Sequence, residues 1–153
     1  GHFQKVVART LLLGVFLKNY FELRGLELWD GKFEWAEFDG ELTLVDSIVP
    51  DELRLLIAGT DLQVSKEFLR QFYRKTGWYQ NLQAVKKETQ GSDWKERMRN
   101  RFGEPPELSL LYRQVAELLY PTLAKLILED PGNADAKQQL GVLKERMLSC
   151  QNS

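Results

Sequence analysis

The sequence predicts an α+β domain in which an antiparallel β-hairpin packs among several helices. Three observations carry that prediction. Between Leu26 and Val49, β-branched and aromatic residues fill two extended arms on either side of Asp39-Gly40, a dipeptide suited to a tight turn. Ahead of them, Val7, Leu11 and Val15, with Leu12, Phe16 and Tyr20, recur at four-residue spacing, the repeat of one helix face. Behind them, further apolar stripes of helical period are divided by Gly77, Gly103 and Pro131-Gly132.

Taken in order, the first helix is expected over Phe3 to Arg24, with Gly25 as its C-terminal stop. Its broad apolar arc predicts a largely buried element. The hairpin spans Leu26 to Val49, and Pro50 ends its second arm because proline has no N–H for the ladder. Leu55 to Gly59 reads as a connector. Ser65 is an N-cap for a helix through Phe68, Leu69, Phe72 and Tyr73 to Gly77. The charged stretch from Asn81 to Phe102 reads as solvent-facing helix, divided at Gln90-Gly91-Ser92, with Ser92 or Asp93 as the second cap. Pro105-Pro106 precedes a long helix with a buried stripe through Leu111, Val115, Leu119, Leu123 and Leu126, kinked at Pro121. A last helix is expected over 134–149. Gly1-His2 reads as the remnant of a processed tag, residues 3–149 as a single domain, and 150–153 as a frayed tail.

Composition narrows the chemistry. With 43% hydrophobic and 28% charged residues and a net charge of −1, the chain has an ordinary globular make-up and no general attraction to nucleic acid or anionic membrane. No apolar run approaches the length of a membrane span. Cys150 is the only cysteine, so an internal disulfide is excluded, in keeping with a reducing cytoplasm. The only histidine is His2, which leaves serine and cysteine triads and histidine metal sites without their parts. Carboxylates, lysines, arginines and tyrosines remain.

Those groups concentrate on the hairpin. Asp30, Lys32 and Glu34 alternate, so in one strand they project from one face while Trp29, Phe33 and Trp35 project from the other. A three-residue loop of Asp39, Gly40 and Glu41 pairs Phe38 with Leu42 and sets Glu34 opposite Asp46; a two-residue loop sends Asp46 to the aromatic face. Two opposed carboxylates repel unless a cation lies between them. Magnesium carrying nucleotide phosphates is one such cation, and a solvated face with a Lys-Glu pair is the bland alternative.

The run Leu28-Trp29-Asp30-Gly31-Lys32-Phe33-Glu34-Trp35 resembles the aspartate-x-lysine-aromatic-glutamate signature of the phosphoribosylaminoimidazole-succinocarboxamide synthetase (SAICAR synthetase) family, and Asp46, Pro50-Asp51 and Arg54 resemble its second block. Ser65-Lys66 with Arg70 resembles the family's aspartate-lysine and following arginine. The chain departs from the pattern at Ser47, Val49, Leu53 and Trp35-Ala36. The resemblance implies the C-terminal lobe of an enzyme that joins L-aspartate to a carboxylated aminoimidazole ribonucleotide with ATP and Mg2+ in purine synthesis. It implies Lys32 and Asp30 as catalytic residues, Glu34 and Asp46 as metal and ATP-phosphate ligands, and Asp51, Arg54, Lys66 and Arg70 as substrate-binding residues. It also implies an N-terminal lobe as partner, since the family's glycine-rich nucleotide hairpin is not in this sequence; a homo-oligomer is compatible with it. Two other classes compete: a non-catalytic nucleotide-binding or interaction domain that kept the hairpin, and a helical nucleic-acid binder using Arg97, Arg99 and Arg101, which the interleaved acids disfavour.

Overall fold

A computed structural model describes residues 2–90 and 92–151. It has the expected α+β class. Helix α1 (His2–Glu22) leads into strands β1 (Leu26–Gly31), β2 (Trp35–Phe38), β3 (Glu41–Leu44) and β4 (Leu53–Ile57). Helices α2 (Lys66–Arg74), α3 (Gly77–Glu88), α4 (Trp94–Phe102), α5 (Leu110–Leu128) and α6 (Ala134–Gln151) follow. Gly1 of the expected tag remnant, Gly91 of the expected helix break, and Asn152 and Ser153 of the expected tail lie outside the described residues.

The strands form two antiparallel pairs where one hairpin was expected. β2 pairs with β3, and β1 pairs with β4. Leu55 to Ile57, expected as part of a connector from Leu55 to Gly59, therefore belong to strand β4: Leu53, Leu55, Leu56 and Ile57 are buried, which a solvated loop would not allow. The β2–β3 turn has two residues. Trp35 faces Leu44 and Phe38 faces Glu41 across Asp39-Gly40, both at positive φ (50° and 80°). That backbone twist suits the right-handed twist of the flanking strands, whereas a three-residue loop would need a bulge to do the same. The ladder continues one step, with Val45 N–H donating to the Glu34 carbonyl at 2.9 Å, so Glu34 faces Val45 and not Asp46.

A second irregularity sits in β1. Leu28 faces Leu55 and Asp30 faces Arg54, which leaves Trp29 as an extra residue on one side of the ladder. Strict alternation would put Leu26, Leu28 and Asp30 on one face. The bulge resets the phase: Leu26 is fully buried, Leu28 packs on the core, and Asp30 is exposed beside Arg54.

The main core joins Leu17 and Phe21 of α1, the inward residues of β1 and β4, Phe68 of α2 and the inner faces of α5 and α6. Leu82, Val85 and Met98 form a smaller cluster between α3 and α4. Arg24 ties α1 to α5. It is 9% exposed, donates from Nε to the Leu126 carbonyl at 2.8 Å and from Nη1 to the Tyr20 carbonyl at 3.0 Å, and lies over the Tyr20 ring. Carbonyls at helix C-termini carry partial negative charge, so the guanidinium satisfies them where water cannot reach.

Burial of α1 differs from expectation. Leu17 and Phe21 are buried, but Leu11, Leu12, Val15 and Phe16 are 60–71% exposed. A broad apolar arc states what a helix would bury, not that a partner lies on every side, and the sheet and α5 cover one side. At the other end, α6 runs beyond Ser149 to Gln151, and Cys150 is 1% exposed. Packing thus carries the last helix past its expected end.

Candidate functional site

Ser65 begins the site. Its side chain accepts from Glu67 N–H at 3.2 Å and caps α2, which satisfies one open donor of the first turn. The next open donor, Lys66 N–H, goes to Asp51 Oδ1 at 3.0 Å. Tyr120, from the middle of α5, donates its hydroxyl to both oxygens of Asp51, at 2.9 and 3.2 Å. The turn after Pro50, the start of α2 and the flank of α5 are thereby fixed around one carboxylate.

Beside this anchor is a polar cavity of about 400 Å³, with Asp30, Asp51, Arg54, Lys66 and Arg70 among its lining residues. All five are residues singled out from the sequence. They come from β1, the β3–β4 connection, β4 and α2. Each cation has an acidic neighbour. Arg54 Nη1 lies 3.0 Å from Asp30 Oδ2 across the β1–β4 ladder, and Lys66 Nζ lies 3.3 Å from Glu52 Oε1. Arg70 and Arg74 share Glu67.

Lys32, Glu34 and Asp46 do not line this cavity. The chain leaves β1 at Gly31 and enters β2 at Trp35, so the alternation expected for one strand is broken between them. Lys32 pairs with Glu34. Its ammonium is held above its ordinary value by the hydrogen bond to Glu34 and then by that carboxylate's charge, with Asp46 and Glu52 adding to it. Glu52 lines the cavity and also meets Lys66. Of the three, Lys32 feels the charge of Glu52. Asp46 accepts from Ser47 N–H at 2.8 Å.

Among the described residues no three His, Cys, Asp or Glu side chains are grouped to hold a metal. Glu34 is paired to Lys32 and faces Val45 across the ladder, so Glu34 and Asp46 do not form the opposed carboxylate pair expected for a shared divalent ion. Among the described residues no helix is long and apolar enough to cross a membrane.

Sequence reasoning missed Glu52, Glu67, Arg74 and Tyr120. Glu67 and Arg70 stand three apart on a helix, a spacing at which side chains meet, so that pair was legible. Tyr120 bonds a carboxylate 69 residues away, and no local pattern announces it.

The sequence profile of the SAICAR synthetase family matches residues 1–85. A protein of Archaeoglobus fulgidus is 38% identical over 98 residues, 63% of this chain and 27% of its own length. The phosphoribosylaminoimidazole-succinocarboxamide synthase of Clostridium acetobutylicum is 35% identical over 66 residues, covering 43% of this chain and 28% of that enzyme. That of Clostridium botulinum is 41% identical over 54 residues, 35% of this chain and 23% of the enzyme. The chain thus spans about a quarter of the length of these relatives. A solved structure of a type-2 SAICAR synthetase in complex with ADP aligns with 69% of this chain and 40% of its own, at 26% identity and a TM-score of 0.43.

Proposed function

Because the chain belongs to the SAICAR synthetase family, we propose that it forms the substrate- and metal-binding lobe of an ATP-dependent ligase of purine synthesis. The reaction joins L-aspartate to a carboxylated aminoimidazole ribonucleotide. The observation that carries this reading is the convergence of Asp30, Asp51, Arg54, Lys66 and Arg70 on one polar cavity, five residues from separate segments that the family resemblance had already singled out.

The chemistry needs charge neutralisation more than a nucleophile. The substrate carboxylate attacks the γ-phosphorus of ATP and ADP leaves; the aspartate amine then attacks the acyl carbon, phosphate leaves, and the amine gives up a proton. Arg54 and Arg70 bind the ribonucleotide phosphate, as forked donors suit, with Lys66 adding charge. Asp51, held by Tyr120 and by Lys66 N–H, is a fixed acceptor for substrate N–H or O–H groups. Asp30 keeps the Arg54 guanidinium in place and positions substrate. Lys32, which does not line the cavity, is assigned by the resemblance the stabilisation of charge near the reacting carboxylate. Glu34, once released from Lys32, or Asp46 would offer a carboxylate oxygen to a Mg2+ ion carried on the ATP phosphates, and that ion would neutralise phosphate charge. The exposed face of α1 is the seat for a lobe that covers the nucleotide.

The test adds such a lobe and follows aspartate-dependent ADP release. Arg54→Ala and Arg70→Ala should raise the KM for the ribonucleotide, while Glu34→Gln and Asp46→Asn should lower kcat. Unchanged rates in the latter pair remove the metal assignment.

A second reading is favoured by the same exposed apolar face: an interaction domain that kept the hairpin and lost the reaction. It differs in outcome, since ribonucleotide would bind to the reconstituted protein without ADP release.

A further inference from the structure

Glu67 is less exposed than the acids of the cavity's other two ion pairs. Its side chain is 21% exposed, against 38–59% for both members of the Asp30–Arg54 and Glu52–Lys66 pairs. It takes two arginines. Arg70 Nη1 lies 3.6 Å from Oε2, one turn along α2, and Arg74 reaches back two turns to Oε1. An ordinary helical ion pair joins neighbours three or four apart and is solvent-screened; the reach from Arg74 across two turns is not of that kind. Glu67 also stands in the first turn of α2, where a negative charge is favoured. A carboxylate therefore already occupies the position that a bound anion would take: in front of two guanidinium groups, at the start of a helix, inside the cavity.

The charge of the cavity lining makes this consequential. Asp30, Asp51, Glu52 and Glu67 stand against Arg54, Lys66, Arg70 and Arg74, so formal charges balance and an entering anion meets no surplus cation. Arg54 and Lys66 each have an acid of their own. Arg70 and Arg74 share one between them, and they are the cations most readily given up to a ligand with more charge than a carboxylate.

We infer that Glu67 is a built-in competitor for the anion subsite: it holds Arg70 and Arg74 and yields them to a phosphate monoester, so that it sets affinity and favours the dianion. This rests on the reading of the cavity as the site of a phosphorylated ligand. When the ligand enters, the Glu67 carboxylate turns to water and the Arg70 and Arg74 guanidinium groups transfer to phosphate oxygens, joining Arg54 in the same cavity. No bond is made or broken. A doubly charged phosphate gains more from two guanidinium groups than the carboxylate it displaces, whereas a singly charged group gains no advantage over it.

The experiment is calorimetric titration of the 153-residue chain with ribose 5-phosphate, for the wild type, Glu67→Gln, Glu67→Asp and, as a remote control for net charge, Glu107→Gln. Glu67→Gln should tighten binding about tenfold at pH 7.5, a screened share of the repulsion between neighbouring anions. Glu67→Asp, which keeps the first-turn charge but draws it back, should fall between, and Glu107→Gln should match the wild type. Adding Arg70→Ala to Glu67→Gln should erase the gain. The pH profile separates competition from a structural role. As the phosphate loses its second charge near pH 6, wild-type affinity should drop steeply between pH 7.5 and 5.5, and that of Glu67→Gln much less. Glu67→Asp keeps the inference testable if Glu67→Gln does not fold. Wild-type binding that is equal or tighter than in both Glu67 variants overturns the inference and leaves the cavity reading standing. Binding by no variant, the wild type included, removes both.

Discussion

Replacing Tyr120 by Phe removes one oxygen and tests how Asp51 is held. The hydroxyl donates to both carboxylate oxygens, and Lys66 N–H supplies a third bond at 3.0 Å. Hydrogen bonds to charged groups contribute about 1.5–3 kcal/mol when shielded. Tyr120 is 42% exposed, so solvent screening reduces the expected loss to about 1 kcal/mol, which for a domain of this size lowers the Tm by about 3 °C. The hydroxyl is raised above its ordinary value of 10.0, first by burial, then by its hydrogen bond to Asp51 and that carboxylate's charge, while Arg70 opposes. A group whose pKa is higher in the fold than in the unfolded chain binds its proton more tightly in the fold. Its stabilisation is whole below pH 10 and is lost as pH rises through the folded value. Tyr112 is raised in the same direction, by burial, so Tyr120→Phe should soften the alkaline fall without abolishing it. Thermal unfolding followed by circular dichroism from pH 7 to 11 reads both effects. A variant within about 0.3 kcal/mol of wild type at pH 7, with an unchanged alkaline slope, would refute the anchoring of Asp51 by Tyr120.

Three further outcomes follow from particular residues. Arg24→Met should cost about 3 kcal/mol in urea unfolding, because it leaves the carbonyls of Leu126 and Tyr20 without their donor in a buried place; a loss below about 1 kcal/mol would show that water replaces the guanidinium. Gly40→Ala should cost about 1 kcal/mol, since its φ of +80° suits glycine while no atom lies within 4 Å of an added Cβ, so backbone strain acts without a clash. Calorimetry of this chain with ATP and magnesium should give no tight binding, because it contains no glycine-rich phosphate loop; a micromolar Kd would contradict the need for a covering lobe.

What could be read in advance divides by the range of the interaction responsible. Ser65 as a cap, Gly25 past the end of α1 and Asp39-Gly40 as a turn are local devices, and all are in place. The turn's length decides the register, and with it whether Glu34 meets Asp46. Setting Glu34 opposite Asp46 required a three-residue loop, and the chain has the two-residue form, whose backbone twist suits the flanking strands. The bulge at Trp29 was not legible, because nothing in Leu28-Trp29-Asp30 breaks the alternation that it resets. The pairing of β1 with β4 depended on recognising Leu53 to Ile57 as a buried strand from a short apolar run, where length alone does not separate strand from connector. For α1, periodicity identified the apolar face correctly and overstated its burial, because burial needs a partner as well as a pattern. The cavity was legible through family resemblance at Asp30, Asp51, Arg54, Lys66 and Arg70, and illegible at Tyr120, which only the packing of α5 brings to Asp51.

The central claim is that the cavity between β1, β4 and α2 takes the phosphorylated substrate. Its most direct test is titration of the carboxylated aminoimidazole ribonucleotide into the isotopically labelled chain, watched by amide chemical shifts. The expected result is a contiguous set of shifts at Asp30, Asp51 to Arg54 and Ser65 to Arg74, lost in Arg54→Ala. Shifts confined to α3 and α4, or none at millimolar ligand, would contradict it.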